Sequence, residues 1–235
     1  MVNSIHDLLG GNSYPGRGII LGCSEDGQRS IIVYFIMGRS DNSRNRVFER
    51  TDDGIKTAAY DFSALADPSL VIYHPLRRFD GATIVTNGDQ TDTINGYLQK
   101  GLDFRSALKT REFEPDRPHY TPRISGLVHS DGSYDLSILK SSGGDASCCI
   151  RSFFEYSAAL PGLGHFISTY SSDGDPLPSF EGEPLAVSID VSRGLESFAE
   201  SIWQALDYDN KVSVYACETR ISTGEYLDHI INKNR

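Results

Sequence analysis

The sequence predicts an α+β fold of largely antiparallel sheets with helices on their outer faces. Three observations lead there. Short runs rich in Ile, Val, Tyr and Phe recur along the whole chain, punctuated by turn signals such as Asp26-Gly27, Asp53-Gly54 and Asp80-Gly81. Helical periodicity is confined to two or three segments. It is plainest over 195–206, where Leu195, Phe198, Ala199, Ile202 and Leu206 share one face. Strand follows strand, without the strand–helix alternation that a parallel sheet needs. No linker interrupts the pattern, so one domain over 1–235 is expected, with 1–16 as an N-terminal arm.

Taken in order, the polar, turn-rich arm must be held down by the rest of the fold. Residues 18–22 and 30–37 are apolar strands joined at Asp26-Gly27, so the chain opens with a β-hairpin. Residues 38–46 then place Arg39, Arg44 and Arg46 among Ser and Asn side chains. Such a stretch can wrap an anion with forked donors, or be a solvated loop with incidental charge. A short strand is expected within 52–60. Another spans 69–73 and is stopped by Pro75, which leaves Tyr73 and His74 at its end.

The central strand, 83–85, is broken by Asn87-Gly88, both tolerant of positive φ. Thr91 or Asp92 sits where a helix N-cap belongs, before helical material over about 93–109 with a second N-cap at Asp103. Alone, such a turn is more often structural than functional. Residues 111–123 hold Pro115, Pro118 and Pro122, which enforce an extended loop around Glu112, Glu114, Asp116, His119, Tyr120 and Arg123. That crowding suits acid–base chemistry and equally suits a charged connector. A hairpin follows over 124–140, then strands over 146–156, 164–170, 185–189 and 211–217. A terminal helix is expected over 227–231.

Composition narrows the function. Hydrophobic residues at 39% and charged residues at 23% describe a chain that can bury a core without staples. A formal net charge of −10 argues against general binding of nucleic acid or an anionic membrane, while leaving room for a local arginine cluster. The four cysteines form no C-x-x-C pair and no zinc-spaced tract; they read as small buried apolar residues. There is no 18-residue apolar run, and the N-terminus lacks signal-peptide features, so a cytoplasmic protein with reduced thiols is the default. A homo-oligomer stays open.

Four segments together carry a resemblance: Gly38-Arg-Ser with Asn45-Arg46; Thr86-Asn-Gly-Asp-Gln-Thr-Asp-Thr-Ile94; Glu114-Pro with Tyr120-Thr-Pro-Arg-Ile-Ser125; and Ile167-Ser-Thr-Tyr170. In this order they resemble the single-domain, archaeal-type IMP cyclohydrolases. The first three are specific jointly, and the C-terminal third matches chiefly through its last motif. The resemblance implies the four-layer αββα sandwich of the N-terminal-nucleophile hydrolases, without autocleavage. It implies closure of 5-formamidoimidazole-4-carboxamide ribonucleotide (FAICAR) to IMP with loss of water, with a purine ribonucleotide as partner and no cofactor or metal.

On that reading Arg39, Ser40, Arg44 and Arg46 hold the 5′-phosphate, in a loop longer than in the short archaeal sequences. Asn87 and the N–H groups around Gly88 orient the carboxamide or stabilise an oxyanion. Asp89, Thr91 and Asp92 bind ribose hydroxyls or cap the helix, and Tyr120 contacts substrate. Tyr73 and Glu114 transfer protons, and Arg123 either holds Glu114 ionised or contacts substrate. Two rivals remain: an amidohydrolase using Cys23, at the junction-like Gly22-Cys23, and a non-catalytic purine-nucleotide-binding protein.

Overall fold

The computed structural model describes residues 2–64 and 72–234, so the strand expected over 69–73 lies largely outside the described residues. In chain order the elements are α1 (Ile5–Gly10), β1 (Arg17–Cys23), β2 (Arg29–Met37), α2 (Asp41–Arg44), β3 (Arg46–Thr51), β4 (Gly54–Ala59), β5 (Leu76–Phe79) and β6 (Ala82–Thr86). Then come α3 (Gln90–Leu98), α4 (Phe104–Leu108), β7 (Arg123–Val128), β8 (Tyr134–Ser142) and β9 (Asp145–Tyr156). The chain closes with β10 (Leu163–Ser168), β11 (Leu185–Ser188), α5 (Leu195–Ala205), β12 (Lys211–Arg220) and β13 (Tyr226–Asn232).

Among the described residues these strands form two sheets, ordered β11-β10-β1-β2-β12-β13 and β3-β4-β5-β6-β7-β8-β9. Neighbouring strands within each run antiparallel. The α+β expectation is met. Side-chain alternation sorts the apolar residues into three clusters. Ile19, Leu21, Ile32, Tyr34 and Ile36 of the first sheet meet Ile55, Leu76, Val85, Ile124 and Ile138 of the second. Ile20, Val33 and Phe35 point the other way, against Ile5 and Leu9 of α1 and Phe198, Ala199 and Ile202 of α5. Ile84, Leu127 and Leu139 pack against Ile94 of α3 and Phe104 and Leu108 of α4. Strands β1 and β2 are buried on both faces, which is why they read as near-continuous apolar runs.

Several expectations change. Residues 227–231 are not a helix but part of β13, which pairs Ile231 with Val214 and Leu227 with Glu218. A short apolar run is ambiguous by period, and the β-branched pair Ile230-Ile231 settles onto the open edge of β12. Helix α3 begins at Gln90, earlier than expected, so Thr91 and Asp92 lie inside its first turn. Asp103 does cap α4, its carboxylate accepting from Ser106 N at 2.7 Å. Cys23 and Cys217 are buried, but Cys148 is exposed and Cys149 half-buried, because β9 is an edge strand. Residues 38–46 are not all loop: Ser40 caps the one-turn helix α2 in a reciprocal capping box with Ser43.

The registers bring several strand ends to one rim. Gly18 pairs with Ser168 and Arg17 with Ile36, so the start of β1 lies beside the ends of β10 and β2. In the second sheet Thr86 pairs with Ser125, placing the end of β6 beside the start of β7.

Candidate active site

Two arginines enter this rim from the floor between the sheets. Arg17 has the strand parity of Ile19 and Leu21, so its side chain projects between the sheets. Its backbone N donates to Thr169 Oγ1 at 3.1 Å, while its buried Nε has no partner. Burial pulls its guanidinium pKa down, but the fields of Glu114, Tyr14, Tyr170 and Tyr73 outweigh that and raise it overall. Arg46, at the start of β3, is fully buried. Its Nε donates to Ser43 O at 2.8 Å and one terminal nitrogen to Met37 O at 3.3 Å; the other, Nη1, has no partner. Burial and the neighbouring Arg17 both lower its pKa. Among the described residues no carboxylate reaches ion-pairing distance of either arginine. Above them the buried hydroxyls of Tyr34 and Tyr73 share a 2.8 Å hydrogen bond. Burial, then Tyr73, pushes the Tyr34 hydroxyl well above its usual range.

The proline-rich loop brings in a carboxyl group, Glu114. Glu114 N donates to Thr121 O at 2.9 Å, and Asp116 receives Thr121 N at 2.7 Å and the Thr121 hydroxyl. Thr121 Oγ1 also meets Tyr170 OH at 2.6 Å, tying this loop to the end of β10. The Glu114 side chain is buried and makes no hydrogen bond or ion pair with the described residues. Burial pushes its pKa up to about 7, with Arg17 and Arg123 pulling it back, Asp116 adding to the rise and Arg46 opposing it.

The turn at 86–90 closes the site from the second sheet. Thr86 Oγ1 receives Gly88 N at 3.1 Å and meets Thr91 Oγ1 at 2.7 Å. Asn87 is buried and makes three side-chain hydrogen bonds: its Oδ1 accepts from Ile124 N at 2.8 Å and Gln90 Nε2 at 3.0 Å, and its Nδ2 donates to Pro122 O at 2.9 Å. Gln90 Oε1 accepts from Arg123 Nη1 at 2.7 Å. The same Nη1 lies 2.8 Å from Asp89, whose two oxygens are each 2.6 Å from Arg111 Nη2. Burial would raise the Asp89 pKa, but Arg111 and Arg123 win and lower it. Gly88 is needed for this closeness: a Cβ there would stand 2.5 Å from Arg123 Nη1 and 2.7 Å from Gln90 Oε1.

The structure therefore gathers Arg46, Tyr73, Glu114, Arg123, Gly88 and Asp89 around one rim. Arg39 lies at its edge, 5.1 Å over the Tyr14 ring, and is held by Asp173 at 2.7 Å and Gly174 O at 2.9 Å. Arg44 bonds Gly38 O at 2.9 Å and Asn210 at 3.3 Å. Ser40 is engaged in its capping box. Thr91 is turned inward to Thr86, Asp92 pairs with Arg77 at 3.1 Å, and Tyr120 packs edge-on against Phe113. Sequence reasoning missed Arg17, Tyr14, Tyr34, Gln90 and Arg111. The signal for Arg17 was available: a charge opening an apolar strand with the parity of its inter-sheet residues. A cavity of about 860 Å³ lies elsewhere, lined by Phe104, Leu127, His129 and Phe153 on the α4 side of the second sheet, and contains none of this constellation.

The constellation falls inside a recognised family. A model described as "IMP cyclohydrolase-like protein" matches residues 14–224. The chain belongs to this family. Its match begins ahead of Arg17 and runs past Tyr170, so every residue of the candidate site lies within it. Among relatives named IMP cyclohydrolase, that of Methanopyrus kandleri is 30% identical over 189 residues, covering 72% of this chain and 89% of its own. That of Methanosphaera stadtmanae is 27% identical over 161 residues, covering 67% and 73%. That of Halobacterium salinarum is 26% identical over 190 residues, covering 79% and 86%.

Proposed function

We propose that this protein is an IMP cyclohydrolase, closing FAICAR to IMP with loss of water. The observation that carries the reading is Glu114, a buried carboxyl without a hydrogen-bond or ion-pair partner among the described residues and with its pKa near neutrality, beside Arg17 and Arg46, which have no carboxylate partner there either. The substrate is a purine ribonucleotide, and its 5′-phosphate is the anion that Arg17 and Arg46 are free to take. Arg39 and Arg44, already engaged, brace the loop around it. The helix–sheet–sheet–helix layering of the N-terminal-nucleophile hydrolases is the architecture that fits the three apolar clusters.

The reaction needs no electron transfer. The carboxamide nitrogen attacks the formyl carbon, and the formyl oxygen takes a proton to give a carbinolamine. The attacking nitrogen gives up one of its two protons, and the former formamide nitrogen then loses its own as that oxygen departs as water, leaving a C=N bond between that nitrogen and the former formyl carbon. Glu114, protonated in part near neutral pH, gives the proton to the formyl oxygen and can receive one from nitrogen. The two reacting groups already share one molecule, so the site's part is to hold them in attack geometry, removing conformational freedom that ring closure would otherwise lose.

The Cys23 alternative gains no support. Cys23 lies at the far end of β1 from Arg17, paired with Ser30 inside the opening hairpin, and burial raises its thiol pKa. The deciding experiment follows the absorbance of IMP on adding FAICAR. Glu114→Gln should keep nucleotide binding and lose at least 100-fold in turnover, within the range of general acid–base catalysis. A wild-type protein that binds IMP but forms none from FAICAR would instead be a nucleotide-binding relative.

A further inference from the structure

We infer that Asp89 is a positioning residue for Glu114: with Gln90 it holds the Arg123 guanidinium off the Glu114 carboxyl, acting through Arg123 and not on substrate. This rests on the reading that Glu114 moves the proton.

The geometry is specific. Arg123 is buried, and its Nη1 is shared between Asp89 at 2.8 Å and Gln90 Oε1 at 2.7 Å. Gln90 is itself fixed by Asn87 and Ile124 O, so its acceptor cannot swing away. Asp89 is anchored from behind by Arg111, whose carbonyl is in turn bonded by Arg151 at 2.8 Å. Glu114 Oε1 lies 3.6 Å from the point where a Gly88 Cβ would be, and Arg123 Nη1 lies 2.5 Å from that same point. The two side chains thus converge on Gly88, yet do not reach ion-pairing distance.

Asp89 also gives up its ordinary local role. It occupies the N-cap position of α3, where an aspartate usually accepts from the helix's first N–H groups, and makes no such bond. Its carboxylate is spent on two arginines instead. A residue that breaks a local rule while completing a charged network beside an acid is where a functional constraint is expected.

The consequence is chemical. Released from Asp89, Arg123 would sit beside Glu114 as an uncompensated cation and favour its ionised form. The other charges facing Glu114 are Arg17 from β1, Arg46 from β3 and Asp116 from its own loop. None of these contacts Asp89, so Asp89→Asn leaves them in place.

The test is the pH profile of kcat/KM for cyclisation. Asp89→Asn should shift the alkaline limb down by at least one pH unit, costing tenfold or more at pH 8 and little at pH 6. Asp89→Glu should restore the limb, because it keeps the charge. In an Arg123→Gln background, Asp89→Asn should move the limb much less. A uniform loss at all pH values, or an equal shift in Asp89→Glu, overturns the inference by making Asp89 structural. So does an Asp89→Asn shift of the same size without Arg123. Should Glu114→Gln itself keep full turnover, the proton-transfer reading fails first. Should it abolish turnover while Asp89→Asn leaves the limb in place, only the present inference fails.

Discussion

Glu114 makes stability depend on pH with a definite sign. Its pKa rises from 4.5 to about 7 on folding, chiefly through burial. Between those values the folded chain holds a proton that the unfolded chain has lost. This contribution to stability is therefore full below about pH 4.5, declines as pH rises through 7, and is gone above it. Glu114→Gln removes the penalty, so the variant should exceed wild type by up to roughly 3 kcal/mol at pH 8 and match it near pH 4.5. Denaturant midpoints at the two pH values check this. Arg46 shows the same conflict between stability and function. A buried arginine with an unpartnered nitrogen and no carboxylate is costly to fold around. Arg46→Met should leave stability unchanged or higher while weakening IMP binding by 10-fold to 100-fold, about 1.5–3 kcal/mol for a charged hydrogen bond. Calorimetric titration of the variant reads both the loss and its size. At this scale residue type and setting showed a titratable loop around Glu114 and an arginine-rich stretch ending at Arg46, and the family resemblance singled out these two as proton-transfer and phosphate candidates. Arg17 stayed hidden because an arginine before an apolar run looks like a surface residue until the second sheet covers it.

At the scale of elements, the loop carrying Glu114 is only as well placed as its ties. Prolines keep it out of the sheets, but it is not the extended loop the sequence suggested: it turns back on itself, with Asp116 O accepting from His119 N and Tyr120 N and Thr121 O accepting from Glu114 N, and what docks it is the Tyr170 hydroxyl on Thr121, reaching from the end of β10. Tyr170→Phe keeps the ring stacked on Tyr14 and removes only that bond. The expected cost is about 1 kcal/mol of global stability. The local effect should be larger: faster exchange at the Glu114 amide, which donates to Thr121 O, and a higher KM for FAICAR. Amide hydrogen exchange resolves the two, and unchanged protection at Glu114 would mean the prolines suffice. The boundary of α3 shows why local reading falls short here. Thr91 and Asp92 have the composition of caps, but Thr86 closes the turn from the strand side, so the helix starts before either of them. That bond joins residues whose relation depends on where β6 ends, and only the pairing of Thr86 with Ser125 decides that. The misread 227–231 has a similar cause: the free edge of β12, not anything within the segment, selects strand over helix.

Across the whole molecule, apolar runs and turn signals announced many antiparallel strands, but not which would be neighbours. Strand β1 pairs with β10, far along the chain, and the register that sets Arg17 beside Thr169 leaves no local trace. The candidate site depends on that pairing, since Arg17 and Tyr170 come from one sheet and Glu114 and Arg123 are presented by the other side of the interface. The charge balance bears on where the nucleotide phosphate sits. The chain carries a net charge of −10, so a nucleotide approaches against a repulsive far field that salt screens over about 10 Å at 0.1 M. The contact itself, if made by the half-buried Arg17 and the buried Arg46, is shielded from salt far less. Raising ionic strength from 50 to 200 mM should then leave the KM for FAICAR flat or slightly lower. A phosphate held instead by the partly exposed Arg39 and by Arg44 would lose attraction as salt rises, and KM would climb severalfold. Arg39→Gln sharpens the comparison: its KM should keep the salt response of wild type if the phosphate lies on the inner pair, and lose it if Arg39 is the anchor.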